Sequence, residues 1–315
     1  MERHNQRMAY GEALAALGAE NPQVVALEAD LGKSTMSCVF GQAYPERYFE
    51  MGIAEANMVS VAAGLAASGK IAFCSSFAVF ASGRAYDQIR QTVSIGRLNV
   101  KICGSSSGLS DFGDGSTHQA VEDIALMTAI PHMTVFTPAD ADETRLAVRA
   151  AAAIEGPVYI RVVRNDVPDL TDGSFTPGRM SVLRAGTDAA ILAHGVMAEA
   201  AINAARILER KGVSAGVYNV STMKPFDEEG VRALAAQAGA IVTAEDHSRM
   251  GGLAMHTAFA LRQSGVPMDY VAIEDRFGQS AREISELMAH YGLTADAIAA
   301  KTMALLSGKG RVCRP

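Results

Sequence analysis

Residues 113–119 are Gly113, Asp114, Gly115, Ser116, Thr117, His118 and Gln119. A carboxylate, two hydroxyls and an imidazole share a loop whose two glycines allow the backbone to turn tightly. One chemistry for such a loop is metal and phosphate binding. In one known type of diphosphate site a Gly-Asp-Gly triplet resembling this one holds the divalent cation together with an asparagine about 25–30 residues downstream, oxygen donors of the kind such cations take. The window from Pro138 reads PADADET and contains no asparagine, and the next one downstream is Asn165. No P-loop and no glycine-rich dinucleotide fingerprint stands in a strand-to-helix context elsewhere, so no metal ligand is assigned to this chain. The other chemistry is contact with a substrate. A histidine can hydrogen-bond or carry a proton near neutral pH, and Asp114 can accept from sugar hydroxyls. A solvated loop capped at Ser116 or Thr117 explains the same residues, and the stretch alone leaves both readings open.

The surrounding elements favour a site here. The loop follows the apolar run VKIC (100–103) and precedes the helical run AVEDIALM. Ligands of open parallel sheets collect at the carboxyl ends of the strands. Strand-length apolar runs alternate with alanine-rich helical stretches: strand 24–29, helix 57–69, strand 71–76, helix 78–95, strand 100–103, a helix from 119, strand 133–137, helix 141–154, strand 158–163. The rhythm stops over 166–185, where Pro and Gly interrupt any period, and this stretch reads as a linker. It resumes with strands at 189–195, 215–220, 240–246 and 268–274 and helices between and after them. The expectation is an α/β protein with two doubly wound domains of mainly parallel sheet, residues 1–165 and 186–315.

Composition narrows the classes further. A 315-residue chain that is 49% apolar can bury two cores. A net charge of −6 without a basic run argues against nucleic acid. Four scattered cysteines form no CxxC pair, which supports neither a zinc site nor a disulfide framework. No long apolar span or leader pattern is present, so a cytoplasmic setting without membrane attachment is expected.

GDGSTHQ is similar to the DGPTHQ motif of transketolases and 1-deoxyxylulose-5-phosphate synthases. The segments MGIAEANM, FAVFASGRAYDQIRQ, TPADADE, GPVYIRVVR, KPFD and EDHSRMGGLA also resemble that family, in the same order, from about residue 5 to 305. The resemblance covers the pyrimidine-binding and C-terminal domains, as in the C-terminal subunit of a split transketolase. It implies a thiamine diphosphate-dependent transfer of a two-carbon ketol unit between a ketose phosphate and an aldose. It also implies an N-terminal transketolase subunit as partner, which would carry the Mg²⁺ and diphosphate ligands, and homodimerisation within an α2β2 assembly. A 2-oxo acid dehydrogenase E1 β-type subunit, a 1-deoxyxylulose-5-phosphate synthase-like subunit and a non-catalytic scaffold are the alternatives.

The resemblance also assigns residues. Glu55 would be catalytic, contacting the cofactor's aminopyrimidine and shifting it toward the tautomer that removes the thiazolium proton. Met51, Ile53, Ala54 and Met58 would desolvate its carboxyl. Phe77, Phe80 and Asp30 would complete the cofactor site. His118 would act on the sugar as catalytic and binding residue, with Asp114 reading a hydroxyl configuration. Arg164, Arg7 and Ser34 match phosphate-contact positions. Arg84 matches a phosphate-binding arginine of the synthase branch. Three positions depart from the pattern: Ser116 replaces a proline, Gly83 a third aromatic, and Ser106 a phosphate-binding histidine. His247 is expected to be structural.

Overall fold

The computed structural model describes residues 2–308. Seven strands form one sheet in the spatial order Thr222–Lys224, Thr134–Phe136, Val158–Arg161, Val100–Ser105, Ile71–Phe77, Val24–Glu28, Tyr48–Glu50. All neighbours run parallel except Thr222–Lys224, which pairs antiparallel with Thr134–Phe136. A second sheet has the order Met268–Ile273, Ile241–Ser248, Ala189–Ala193, Ala215–Asn219, Ser181–Arg184, and only the last pairing is antiparallel. Strands such as Val24–Glu28 and Ala189–Ala193 are buried along their whole length. Helices cover both faces of a parallel sheet, so apolar runs rather than alternation mark its central strands. The chain is therefore α/β with mainly parallel sheets. Among the described residues no helix is long and apolar enough to cross a membrane.

Three stretches differ from the sequence expectation. Residues 166–185 contain two strands, Asp166–Pro168 against Arg3–Asn5 and Ser181–Arg184 on the second sheet. Strands this short show no period, and tertiary contacts hold the segment. The Asp140 carboxylate accepts from the backbone N–H groups of Leu170 and Thr171 at 2.9 and 2.7 Å, and Phe175 packs edge-on against Phe136. The helix expected from 119 begins at Asp123, because Ala120 bonds back to Gly108 instead. The helix expected over 78–95 is broken into π-helical turns at Phe80–Arg84 and Ile89–Ser94. Ser82 and Thr92 hydroxyls donate to the carbonyls four residues earlier, Ala78 and Gln88, a contact that bends helices.

The two sheets share contacts. One apolar cluster joins Val25, Leu27, Met58 and Ile102 to Leu192, Val220, Met223 and Leu253. Arg161, from the first sheet, is buried between Asp123 at 3.0 Å and Asp246 of the second sheet at 2.7 Å. Buried Glu143 accepts from the Asn219 amide at 2.9 Å and from the Ala139 N–H. Burial pushes the Glu143 carboxyl up to about 7 from 4.5. The folded protein thus keeps a proton that the unfolded chain loses, and this group removes stability as pH rises across that window. Glu143→Gln has no such titration. Its melting temperature relative to the unmodified protein should climb between about pH 5 and pH 8. A constant gap across that range would contradict the assignment.

Candidate active site

Glu55 opens the helix Glu55–Ala67 after a turn at Gly52, whose φ is +68°. A helix-start acid that serves only the dipole lies in water and contributes ~0.3–1 kcal/mol. The Glu55 side chain is instead 4% exposed, and its described partner is the Arg84 guanidinium, 3.0 Å from Oε1. Met58 is buried, as the sequence suggests, but Ile53 is 73% exposed.

Phe77 ends the strand Ile71–Phe77, and Phe80 begins the first π-helical turn. Their rings stack 6.0 Å apart with planes 16° from parallel. His118 stands edge-on to both, 6.2 Å from Phe77 and 5.2 Å from Phe80. Offset and edge-on contacts of this kind fix ring orientation. The Thr117 hydroxyl lies 2.9 Å from His118 Nδ1. That pairing holds the imidazole in one orientation and leaves Nε2 available. A Cβ built on Gly83 meets no atom within 4 Å, so the shelf is open on that side.

Asp30, Glu55, Phe80, Arg84, Thr117 and His118 line one cleft of about 320 Å³, while Phe77 is buried and outside its lining. Asp30 sits there with φ of +61°, its N–H held by the Glu50 carboxylate at 2.7 Å. Arg84 lines the same cleft. The π-helical turn carries its guanidinium 4.1 Å over the Phe80 ring and onto Glu55.

Arg7 and Arg164 form a second group. Arg7 donates to the Ser34 carbonyl at 2.8 Å, so the backbone rather than the hydroxyl of Ser34 is engaged. Its proton affinity is lowered by burial first and then by the charge of Arg164. Arg164 pairs with Asp111 at 2.9 Å, a carboxylate for which sequence reasoning assigned no role. Asp111 is 1% exposed, and burial raises its pKa against the pull of Arg164. Asp114 and His118 lie close enough to act on it electrostatically. Asp114 itself is exposed on the loop and does not line the cleft. The carboxylate three positions before Asp114 was the available signal for Asp111.

His247 is buried, with Nδ1 donating to the Ser248 carbonyl at 2.7 Å and Nε2 facing the Ala125 N–H at 3.4 Å. It is outside the cleft.

Residues 3–169 match the family described as "Transketolase, pyrimidine binding domain", and residues 178–298 match "Transketolase, C-terminal domain". The chain belongs to the transketolase family. The 6-deoxy-6-sulfo-D-fructose transketolase subunit SqwH of Clostridium sp. is 42% identical over 301 residues, covering 95% of this chain and 93% of its own. A solved split-gene transketolase, an inactive β4 tetramer, superposes with a TM-score of 0.86 at 45% identity, covering 96% of this chain and 98% of that one. Transketolase of Homo sapiens is 35% identical over 308 residues, which is 96% of this chain but 49% of the human protein. The chain is thus a split-transketolase-like subunit by its relationships.

Proposed function

We propose that this chain is the C-terminal subunit of a thiamine diphosphate-dependent transketolase that moves a two-carbon ketol unit between sugars. The carrying observation is a buried carboxyl, Glu55, on the wall of a cleft that also holds a histidine and Phe80, on which Phe77 stacks. A flat heteroaromatic ring with a basic nitrogen fits that donor set. When bound, the cofactor supplies a nucleophilic carbon that carries the ketol unit.

The residues of this chain then have separate tasks. Glu55 holds a proton at the ring nitrogen, releasing Arg84 to do so. Phe77 and Phe80 orient the ring, and Asp30 closes the cleft above it. His118 Nε2 hydrogen-bonds the sugar's carbonyl or hydroxyl oxygen and moves its proton, with Thr117 fixing the imidazole. Asp114, exposed on its loop here, selects a hydroxyl configuration once sugar and partner cover it, since an acceptor desolvated without a donor penalises the wrong epimer. Arg7 and Arg164 attract the anionic end of the sugar through forked donors.

The partner is an N-terminal transketolase subunit bringing the Mg²⁺ and diphosphate ligands, in an α2β2 assembly. The relatives SqwH and the split-gene transketolase are subunits of this length, and the human protein carries about as much chain again. The exposed Ile53 and Phe49 near the Glu55 turn suit coverage by another chain. Purified alone, the chain should transfer no ketol unit even with thiamine diphosphate and Mg²⁺, and activity should appear on adding the partner. Robust turnover by the single chain would refute the split assignment, and an inert complex would leave a scaffold role.

A further inference from the structure

The loop that carries His118 leaves the first sheet after Ser105 and is anchored in the C-terminal domain. Leu109 and Val121 are buried, and Phe112 half-buried, in the apolar cluster of the second sheet, with Val217, Val242 and Ile273. The Phe112 carbonyl accepts from the Ala281 N–H at 2.8 Å, and the Val121 carbonyl from the Ser248 N–H at 2.7 Å. Gln119, next to His118, is 3% exposed. Its Nε2 donates to the Asp111 carbonyl of the same loop at 3.1 Å and to the Gln279 carbonyl of the C-terminal domain at 3.0 Å. Residues 274–281 follow the strand Met268–Ile273, and the Tyr291 hydroxyl secures them by donating to the Phe277 carbonyl at 2.8 Å. Two glycines allow the close approach. A Cβ on Gly278 would collide with Gln119 Oε1, and one on Gly115, where φ is +76°, would lie 2.5 Å from Ser280 Oγ.

We infer that the C-terminal domain sets the place of the His118 imidazole in the cleft, and that Gln119 is the positioning residue through which it does so. Phe77, Phe80 and Thr117 orient the ring from the side of the first sheet. The backbone beneath the ring is held from the other side. The His118 N–H bonds only within its own turn, to the Gly115 carbonyl at 2.9 Å. The next residue fastens that turn, because the two N–H groups of one amide join carbonyls from both domains. A shift of this segment against the first sheet moves Nε2 relative to Glu55 and the bound sugar, and a misplacement of about 1 Å can cost about 10² in rate. This rests on the ketol-transfer reading only in giving His118 a sugar to act on.

The experiment uses two variants, one in each domain. Gln119→Ala removes the bridging amide. Gly278→Ala keeps every donor, displaces that amide from the opposite side, and tests the contact even where Gln119→Ala does not fold. In the complex with the partner, each should lower kcat/KM for the sugar by about 10–10²-fold while thiamine diphosphate affinity stays within about 2-fold. The double variant should be no slower than Gln119→Ala, because the lost side chain makes room for the new methyl. In a His118→Ala background, Gln119→Ala should cost no more than about 2-fold, since it acts through the imidazole. A second readout needs neither cofactor nor sugar. Deuterium uptake by peptides spanning residues 106–122 should speed up by about 10-fold in both variants. An equal loss in the His118→Ala background, additive losses in the double variant, or unchanged uptake in both single variants overturns the inference. If the unmodified complex moves no ketol unit but uptake rises in both variants, the interdomain contact stands and the ketol-transfer reading fails. Turnover that neither variant alters has the opposite meaning.

Discussion

Glu55→Gln in the assembled enzyme is expected to lower turnover by ~10³-fold or more, at the upper part of the range for a lost proton-transfer group. The amide matches the carboxyl in size, and its oxygen can still accept the Arg84 bond now made at 3.0 Å by Oε1. The fold should therefore survive, with a melting temperature close to that of the unmodified protein. What disappears is a group able to share and exchange a proton with the pyrimidine. The direct readout is exchange of the C2 proton of the bound cofactor into deuterated solvent. Exchange at the unmodified rate would show that Glu55 only starts a helix.

His118→Ala is expected to reduce kcat/KM by roughly 10²–10⁴-fold while cofactor affinity changes little. The ring is set edge-on to Phe77 and Phe80, so some loss of packing accompanies the loss of Nε2. His118→Gln retains bulk and a hydrogen-bonding tip and separates the two effects. Activity restored by glutamine would show that bulk and a hydrogen bond suffice and that no proton passes through His118. Asp114→Ala should act more selectively, weakening donors of the preferred hydroxyl configuration most. Titrating thiamine diphosphate and Mg²⁺ into the Asp114→Ala complex checks the loop's role. A large loss of cofactor affinity with unchanged sugar preference would return GDGSTHQ to a diphosphate site.

Much of this arrangement was legible in the sequence because parallel sheets write themselves as apolar runs. The strands Val24–Glu28, Ile71–Phe77 and Val100–Ser105 are buried on both faces, and the loops after them must carry the polar groups. The strand ends marked the His118 loop as a place to look, and the resemblance then singled out Glu55, Phe80 and His118, which line one cleft. Short edge strands were not legible. Tyr48–Glu50 and Thr222–Lys224 have three residues each, and partners far away in the chain decide their conformation. Side-chain pairing was hidden as well. A wide helical turn swings Arg84 toward Glu55, and nothing in the spacing of FASGRAY announces that turn. Asp111 lies among small residues in SSSGLSDFG. Its bond to Arg164 spans 53 positions, beyond the reach of any local pattern.

The strand Thr222–Lys224 on the edge of the seven-stranded sheet bears on how this protein is made. A ribosome delivers the other six strands of that sheet by residue 161. The last one, with Val220 and Met223 of the shared apolar cluster, emerges more than sixty positions later in a 315-residue chain. Until then Thr134–Phe136 presents an unpaired edge above an incomplete core, a template for pairing between nascent chains. Translation pauses or premature stops between residues 161 and 224 should therefore be more damaging to solubility than later ones. Fragments ending in that interval are the ones that should depend most on chaperones.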